Sequence, residues 1–267
     1  MNDIFTEILA IADLVTNANS IFFITGAGIS ADSGLPTYRG IGGLYSNSIT
    51  EEGFTIEEAL SSDVMSRRPD ITWKYLWQIG SACLKAKPNS AHKIISLIQK
   101  FKPETWVLTQ NIDGLHKAAG NKNLIEIHGN AFDLYCTQCG NKPNVDELFP
   151  VSGQKPELPP KCTKCAGIIR PNVVLFGEML PEKCLIQYHK VLNSNPELII
   201  SIGTSGMFQY ISGPVYDAIY EGRKTVEINP AESNLSRMVN YYLPLTATRA
   251  MEEIWGKLKL YFKTTLV

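Results

Sequence analysis

Long apolar runs are missing from this chain. No stretch approaches the roughly 18 residues that a membrane-crossing helix needs, which argues against a membrane partner. Charge of one sign is missing too: Lys and Arg number 25 against 26 Asp and Glu, a net charge of −1. No overall basic field therefore points to nucleic acid or an anionic surface, and direct nucleic-acid binding is not expected. The N-terminal stretch MNDIFTEILAIADLV has no early basic residue, unlike a secretory leader. Its apolar Ile4, Phe5, Ile8, Leu9, Ile11, Ala12 and Leu14 fit an amphipathic helix, and a cytoplasmic address is expected. No internal repeat or low-complexity segment is evident. Histidine is scarce, with four residues in 267.

What remains is an ordinary globular composition, 44% hydrophobic, with the length for one sizeable core and a satellite module. Strand and helix patterns alternate. Strands are expected at 20–25, 105–111, 124–130, 198–205 and 224–230. Helices are expected at 54–66, 70–86, 89–100 (capped by Asn89 or Ser90), 209–221 and 247–262. Such alternation implies an α/β fold, a parallel sheet with helices on both faces. Ligands bind such sheets at the carboxyl ends of the strands. Here those ends carry Gly26-Ala27-Gly28, Gln110-Asn111, His128-Gly129, Gly203-Thr204-Ser205 and Asn229, which suggests one shared crevice.

Residues 131–171 break the alternation. They hold four of the six cysteines as two C-x-x-C pairs, Cys136/Cys139 and Cys162/Cys165, with several prolines and few apolar runs. In a reducing compartment such pairs favour a metal over disulfides. Four thiolates suit one tetrahedral structural zinc with no open position for catalysis. Free thiols and a redox dithiol are the competing readings. Cys83 and Cys184 stand alone and read as buried apolar residues.

The segment IFFITGAGISADSGLPTYRG (21–40) follows a buried strand with small residues, a way of bringing backbone N–H groups to a phosphate. It fits G-x-G-x-x-G incompletely, because the third glycine position falls on Ala31. Tight packing alone would also account for it. Ser30, Asp32 and Ser33 can cap a helix, and Arg39 can pair with a phosphate. In TQNIDGLHKAAG (109–120), Asn111 and Asp113 follow a strand directly. They could hydrogen-bond a carboxamide ligand, or Asp113-Gly114 could simply cap a turn. His116 is expected on the surface of the helix that follows. His128 ends an apolar strand facing the crevice, where general-base use competes with a structural role. His92 and His189 receive no role.

Taken in order, GAGIS and GLPTYRG, TQNIDGLH, IHGN, the paired CxxC units, VLFGE, GTS and EINP resemble the sirtuin family of NAD-dependent protein deacylases. The resemblance covers nearly the whole chain. It implies a Rossmann-like NAD-binding domain (1–37, 87–130 and 172–267), a cofactor-binding loop with a helical module (38–86), and a zinc-ribbon module (131–171), the last two forming a smaller domain.

By that resemblance, Gly26, Ala27 and Gly28 border the NAD pyrophosphate. Ser30, Arg39, Leu44 and Tyr45 belong to the cofactor-binding segment. Gln110, Asn111, Ile112 and Asp113 surround the nicotinamide and its ribose. Gly203, Thr204, Ser205, Asn229 and Ala247 serve the adenosine half. Val174, Phe176, Gly177 and Glu178 lie in a strand, VVLFGE (173–178), that pairs with an acyl-lysine peptide. The implied chemistry is attack of the acyl oxygen on the nicotinamide ribose, loss of nicotinamide, and general-base action by His128 on the ribose hydroxyls. The products are lysine and 2′-O-acyl-ADP-ribose. ADP-ribosyl transfer or NAD hydrolysis on the same fold is the alternative.

Two departures stand out. Where acid-selective members carry Tyr and Arg, this chain has Leu76 and Ile79, three residues apart on one expected helix face. That implies neutral acyl groups. Where the family often has Val-x-Pro after GTS, this chain has Phe208-Gln209-Tyr210.

Overall fold

The computed structural model describes residues 4–37, 49–149 and 156–264. Arg39, Leu44 and Tyr45 lie outside the described residues. The elements in chain order are α1 (Ile4–Asn17), β1 (Ser20–Thr25), a 3₁₀ turn (Ala27–Ser33), α2 (Ile56–Ala59), α3 (Ser62–Arg67), α4 (Pro69–Lys85), α5 (Ser90–Phe101) and β2 (Glu104–Thr109). There follow α6 (Leu115–Ala118), β3 (Leu124–Glu126), β4 (Gly129–Cys136), α7 (Val145–Leu148), β5 (Ile169–Val173), α8 (Glu182–Asn193) and β6 (Leu198–Ile202). The chain closes with α9 (Gln209–Tyr220), β7 (Lys224–Ile228), β8 (Tyr241–Leu243) and α10 (Ala247–Thr264).

Six strands form a parallel sheet in the order β3-β2-β1-β6-β7-β8. Numbered by their own succession this is 3-2-1-4-5-6, the doubly wound order, with its switch point between β1 and β6. Strand side chains alternate between two cores, as the period of two requires. Ile21 and Phe23 of β1 join Ile8, Ile95 and Ile254 under α1, α5 and α10. Phe22 and Ile24 join Val191, Ile211 and Val215 under α8 and α9. Both faces are therefore covered, which is why all of β6 and all of β1 after Ser20 are buried and largely apolar.

The local signals mostly hold, with shorter strands than expected. The strands end at Thr109, Glu126, Ile202 and Ile228, so the polar residues after them lie in loops. The expected single helix over 54–66 is two. Thr55 and Glu58 cap α2 reciprocally, and Ser61, extended, accepts from Val64 N to start α3. The expected strand 124–130 breaks because Gly129, at φ +80°, turns the chain into β4. The expected strand 173–178 keeps only Val173 within β5. Beyond it the chain turns, with Glu178 N donating to Leu175 O and Gly177 at φ +85°. Helix α8 and the short edge strand β8 add to the expected elements.

The second, smaller module is the antiparallel pair β4-β5 packed against α2 to α4 and α7. One core serves both parts: Trp73 and Leu76 of α4 meet Leu134, Phe149 and Ile169. Trp73 is fully buried and donates Nε1–H to Ile169 O at 2.8 Å. Gly80 leaves the space that the Phe149 ring fills; a Cβ there would sit 2.6 Å from it.

Candidate active site

At the switch point the loops after β1 and β6 touch backbone to backbone. Gly26 N donates to Ile202 O, and Gly28 N donates to Gly203 O at 2.9 Å. A Cβ on Gly28 would lie 2.6 Å from Gly203 Cα, and Gly203 itself has φ +60°. Glycine is required here by close approach, which settles why GAG and GTS carry it. The small residues open a cleft of about 870 Å³ at the carboxyl ends of the strands, a volume suited to a dinucleotide-sized ligand.

The cleft gathers most of the sequence-derived candidates. Gly26, Ala27 and Gly28 lie on its floor side with Gly203, Thr204, Ser205 and Asn229. Gln110, Asn111, Ile112 and His128 line its middle. Leu76, Ile79, Val174, Phe176, Gly177 and Glu178 form the wall contributed by the smaller module. Ser30 and Asp113 face a small adjoining cavity of about 40 Å³ with Asn111 and Ile79. Ala247 does not reach the cleft. It is 3% exposed and packs in the core under α10, whereas its neighbour Thr246 lines the cleft. The sequence reading missed Leu175 and Pro230, which sit inside the VLFGE and EINP motifs, and Leu60 and Ser233, which line the cleft from segments without a pattern of their own.

A chain of hydrogen bonds ties the glycine turn to TQNID. Asn111 Nδ2 donates to Gly26 O and to Ser30 Oγ, each at 3.1 Å. Ser30 Oγ donates to Asp113 Oδ2 at 2.7 Å, and Asp113 Oδ1 accepts from Leu115 N. Asp113 thus caps the turn, and its second oxygen ties it to Ser30 beside the cleft. Burial pushes its carboxyl above the usual range, against these hydrogen bonds, which pull it down. Gln110 Nε2 donates to Thr204 Oγ1, and Asn229 Nδ2 donates to Thr204 O, bracing the β6 loop.

His128 sits where these parts meet. Its Nδ1 lies 2.8 Å from Gln110 O. A carbonyl only accepts, so Nδ1 carries the ring proton and Nε2 holds the free lone pair. Burial holds the imidazole below its ordinary pKa, against the pull of the Gln110 carbonyl, so the ring is neutral at neutral pH. Nε2 meets Tyr210 Oη at 2.7 Å on the same cleft wall. An imidazole in this state can accept a proton at Nε2.

His116 is a correction to the sequence reading. It is 2% exposed, with Nε2 3.0 Å from Thr25 Oγ1 and its ring edge-on to His92 at 4.8 Å. Helix α6 is a single turn wedged against α5, so it has no solvent face at that position. Cys83 is buried as expected, and Cys184 is half-buried with its thiol near Glu126 O.

Away from the cleft, the sulfurs of Cys136, Cys139, Cys162 and Cys165 all lie within 4.8 Å of one another. The Cys136–Cys165 and Cys139–Cys162 sulfurs are 3.4 and 3.7 Å apart. That is far beyond a disulfide, about 2.0 Å, and close to the roughly 3.8 Å edge of a tetrahedral zinc–thiolate set. Backbone N–H groups of Gln138 and Lys164 point at the sulfurs of Cys136 and Cys162. The Cys139 and Gln138 amides bring the Cys136 thiol down to about 6. The Cys165 thiol goes up to about 12: the Gly167 amide lowers it, but the three neighbouring sulfurs outweigh that. A dication resolves this conflict among like charges, and the donor set fits zinc.

A doubly wound sheet with a glycine-floored cleft at its switch point, a neutral histidine inside it and a remote four-thiol cluster defines a nucleotide-binding enzyme with a structural metal ribbon. The chain belongs to the Sir2 family, whose sequence model matches residues 26–209. It is 47% identical over 249 residues to NAD-dependent protein deacylase 2 of Pseudomonas syringae pv. tomato, covering 92% of this chain and 98% of that protein. It is 35% identical to the NAD-dependent protein deacylase of Aquifex aeolicus, covering 90% and 95%. Among solved structures, a Sir2 homologue in complex with NAD superposes with a TM-score of 0.82 at 30% identity, covering 95% of this chain and 94% of that one. A Sir2 protein with a deacetylated p53 peptide and 3′-O-acetyl-ADP-ribose superposes with the same TM-score at 27% identity, covering 94% and 98%.

Proposed function

We propose that this chain is an NAD-dependent protein lysine deacylase. It consumes NAD as co-substrate and yields nicotinamide, the free lysine and 2′-O-acyl-ADP-ribose. The observation that carries the reading is the state of His128: neutral, proton fixed on Nδ1, lone pair on Nε2, between the glycine floor and the apolar wall of one cleft.

Each part of the cleft then has a task. Gly26, Ala27 and Gly28 present backbone to the pyrophosphate without side chains in the way. Thr204, Ser205 and Asn229 take the adenosine half. Gln110, Asn111, Ile112 and Asp113 hold the nicotinamide end, and the rigid Gly26–Asn111–Ser30–Asp113 chain of hydrogen bonds fixes that end before the ligand arrives. Nε2 of His128 takes the proton from a ribose hydroxyl, which frees its oxygen to attack the acyl carbon.

The acyl chain enters between Leu76, Ile79 and Phe176. Among the described lining residues none is Lys or Arg, and Glu178 and Glu232 are acidic. This supports acetyl or longer neutral acyl groups over succinyl ones. The segment 174–178 supports a peptide site by position, but Phe176 already spends its N–H on Leu60 O and its carbonyl on Ser62 N. Any main-chain pairing there uses the remaining groups of that segment.

Cys136, Cys139, Cys162 and Cys165 would hold zinc, which would cross-link the ribbon and, with four thiolates as donors, would have no open position for the chemistry. A cytoplasmic location belongs to the same proposal, because such thiols persist in a reducing compartment. Among the described residues, no helix is long and apolar enough to cross a membrane.

The test is a panel of acyl-lysine peptides incubated with NAD, with products identified by mass spectrometry. O-acyl-ADP-ribose with free lysine is the expected outcome. ADP-ribose alone or on protein would mean NAD hydrolysis or ADP-ribosyl transfer instead, and no NAD turnover would refute the enzyme reading.

A further inference from the structure

The segment Phe208-Gln209-Tyr210 puts an unexpected side chain on the base. Tyr210 lies in the first turn of α9, and its hydroxyl is 2.7 Å from His128 Nε2. Because Nδ1 keeps the ring proton for Gln110 O, Nε2 can only accept, and Tyr210 must donate. Burial pushes the Tyr210 hydroxyl up to about 12, so it retains that proton at neutral pH. The contact is built, not incidental. Tyr188 Oη donates to Tyr210 O at 2.8 Å, and the Tyr210 ring stacks on Phe208 at 5.5 Å. Phe208 in turn stands edge-on to the imidazole at 6.4 Å.

An imidazole nitrogen has one lone pair in the ring plane, so it takes one strong donor at a time. The Tyr210 hydroxyl and a ribose hydroxyl are mutually exclusive partners of Nε2. We propose that Tyr210 is a positioning residue that latches His128 in the ligand-free enzyme, and that a ribose hydroxyl of the co-substrate takes its place when the site fills. The proposal rests on the reading of His128 as the base. No bond beyond hydrogen bonds changes: Oη leaves Nε2, keeps its proton, and a ribose O–H donates to Nε2 instead. The latch keeps the base in one tautomer and one rotamer, at a cost in co-substrate affinity.

The experiment is a titration of ADP-ribose, which carries the same ribose hydroxyls, by calorimetry. The proteins are the wild type, Tyr210→Phe, His128→Ala and the double variant. Phe keeps the stacked ring and removes only the competing donor, and thermal unfolding checks that the fold is retained. Tyr210→Phe is expected to bind ADP-ribose about two- to tenfold more tightly, the range one net hydrogen bond allows. In the His128→Ala background the same change gives no gain. The ¹⁵N resonance of His128 Nε2, assigned with His128→Ala, is expected to shift in ligand-free Tyr210→Phe while Nδ1 stays protonated. Weaker or unchanged ADP-ribose binding by Tyr210→Phe, a gain that persists without His128, or an unmoved Nε2 resonance each overturns the latch. Deacylation that survives His128→Ala refutes the base assignment instead, and leaves the ADP-ribose cycle to judge the latch separately.

Discussion

Ser30 Oγ stands 2.7 Å from Asp113 Oδ2, joining the glycine turn after β1 to the loop after β2 across 83 positions of sequence. The bond is buried, and Ser30 also accepts from Asn111 Nδ2. Ser30→Ala leaves both partners short of a hydrogen bond in a dry place. The expected loss is about 1–3 kcal/mol of stability, measured by urea unfolding. Asn111→Ala and Asp113→Ala are expected to slow nicotinamide release with [carbonyl-¹⁴C]NAD. Normal release in both would remove this loop from the nicotinamide site.

His128→Ala removes the lone pair on Nε2 and nothing from the glycine floor. Deacylation is expected to fall by ~10²–10⁴-fold, the usual contribution of a general base, while ADP-ribose still binds. Turnover close to that of the wild type would eliminate His128 from the mechanism.

One zinc per chain is expected by metal analysis, lost on Cys139→Ser or Cys162→Ser. Cys136 and Cys162 belong to the core that contains Trp73 and Leu76, so loss of the metal is expected to loosen the acyl wall as well as the ribbon. The parallel sheet has its own cores and is expected to keep its far-ultraviolet dichroism. A zinc-free protein with full peptide affinity would contradict this.

Acyl choice follows from Leu76, 5% exposed, and the half-buried Ile79 on one side of α4, facing the cleft. A succinyl carboxylate brought between them would be desolvated without a cation, costing several kcal/mol. Each CH₂ of a longer neutral chain gains roughly 0.8 kcal/mol on burial. Matched peptides are expected to give higher kcat/KM for acetyl or myristoyl than for succinyl lysine. A preference for succinyl would sink the argument.

Acid is expected to destabilise the protein from about pH 6.5 downward. Burial lowers His92 to about 4, takes His116 well below the ordinary value and lowers His128. The unfolded chain protonates these rings near 6.5, so it binds more protons than the folded chain as the pH falls. Each such histidine removes up to about 1.4 kcal/mol per pH unit between those limits. Asp113 and Glu126, whose pKa values are raised, act in the opposite sense, at and above the ordinary carboxylate range near 4. Proton NMR at pH 6 is expected to show the His92 and His116 rings still neutral, and the His128 ring and the acid limb of kcat/KM are expected to titrate below 6.5. Rings that titrate at 6.5 would refute the burial argument.

The amino-acid sequence by itself determined most of the elements, the parallel α/β class and the two cysteine knuckles. Those features rest on local periodicity, capping and spacing, as at Asn89, which caps α5 through the N–H groups of Ala91 and His92. It also marked GAG, TQNID, IHGN and GTS as strand-end residues, because apolar runs β1, β2 and β6 stop just before them or the turn that leads to them. Only the tertiary structure decided which of these meet. The Gly28–Gly203 contact spans two strands far apart in sequence, and neither glycine announces its partner. His116 was misread because its burial comes from α5 and β1, not from its own one-turn helix. Ala247, the first residue of α10, packs into the core, and Thr246 just before the helix lines the cleft, a distinction that no local pattern announces. Tyr210 stood out in sequence only as a departure. Its hydrogen bond to His128 exists because α9 begins beside the turn before β4, and chain proximity in three dimensions leaves no trace in either local pattern.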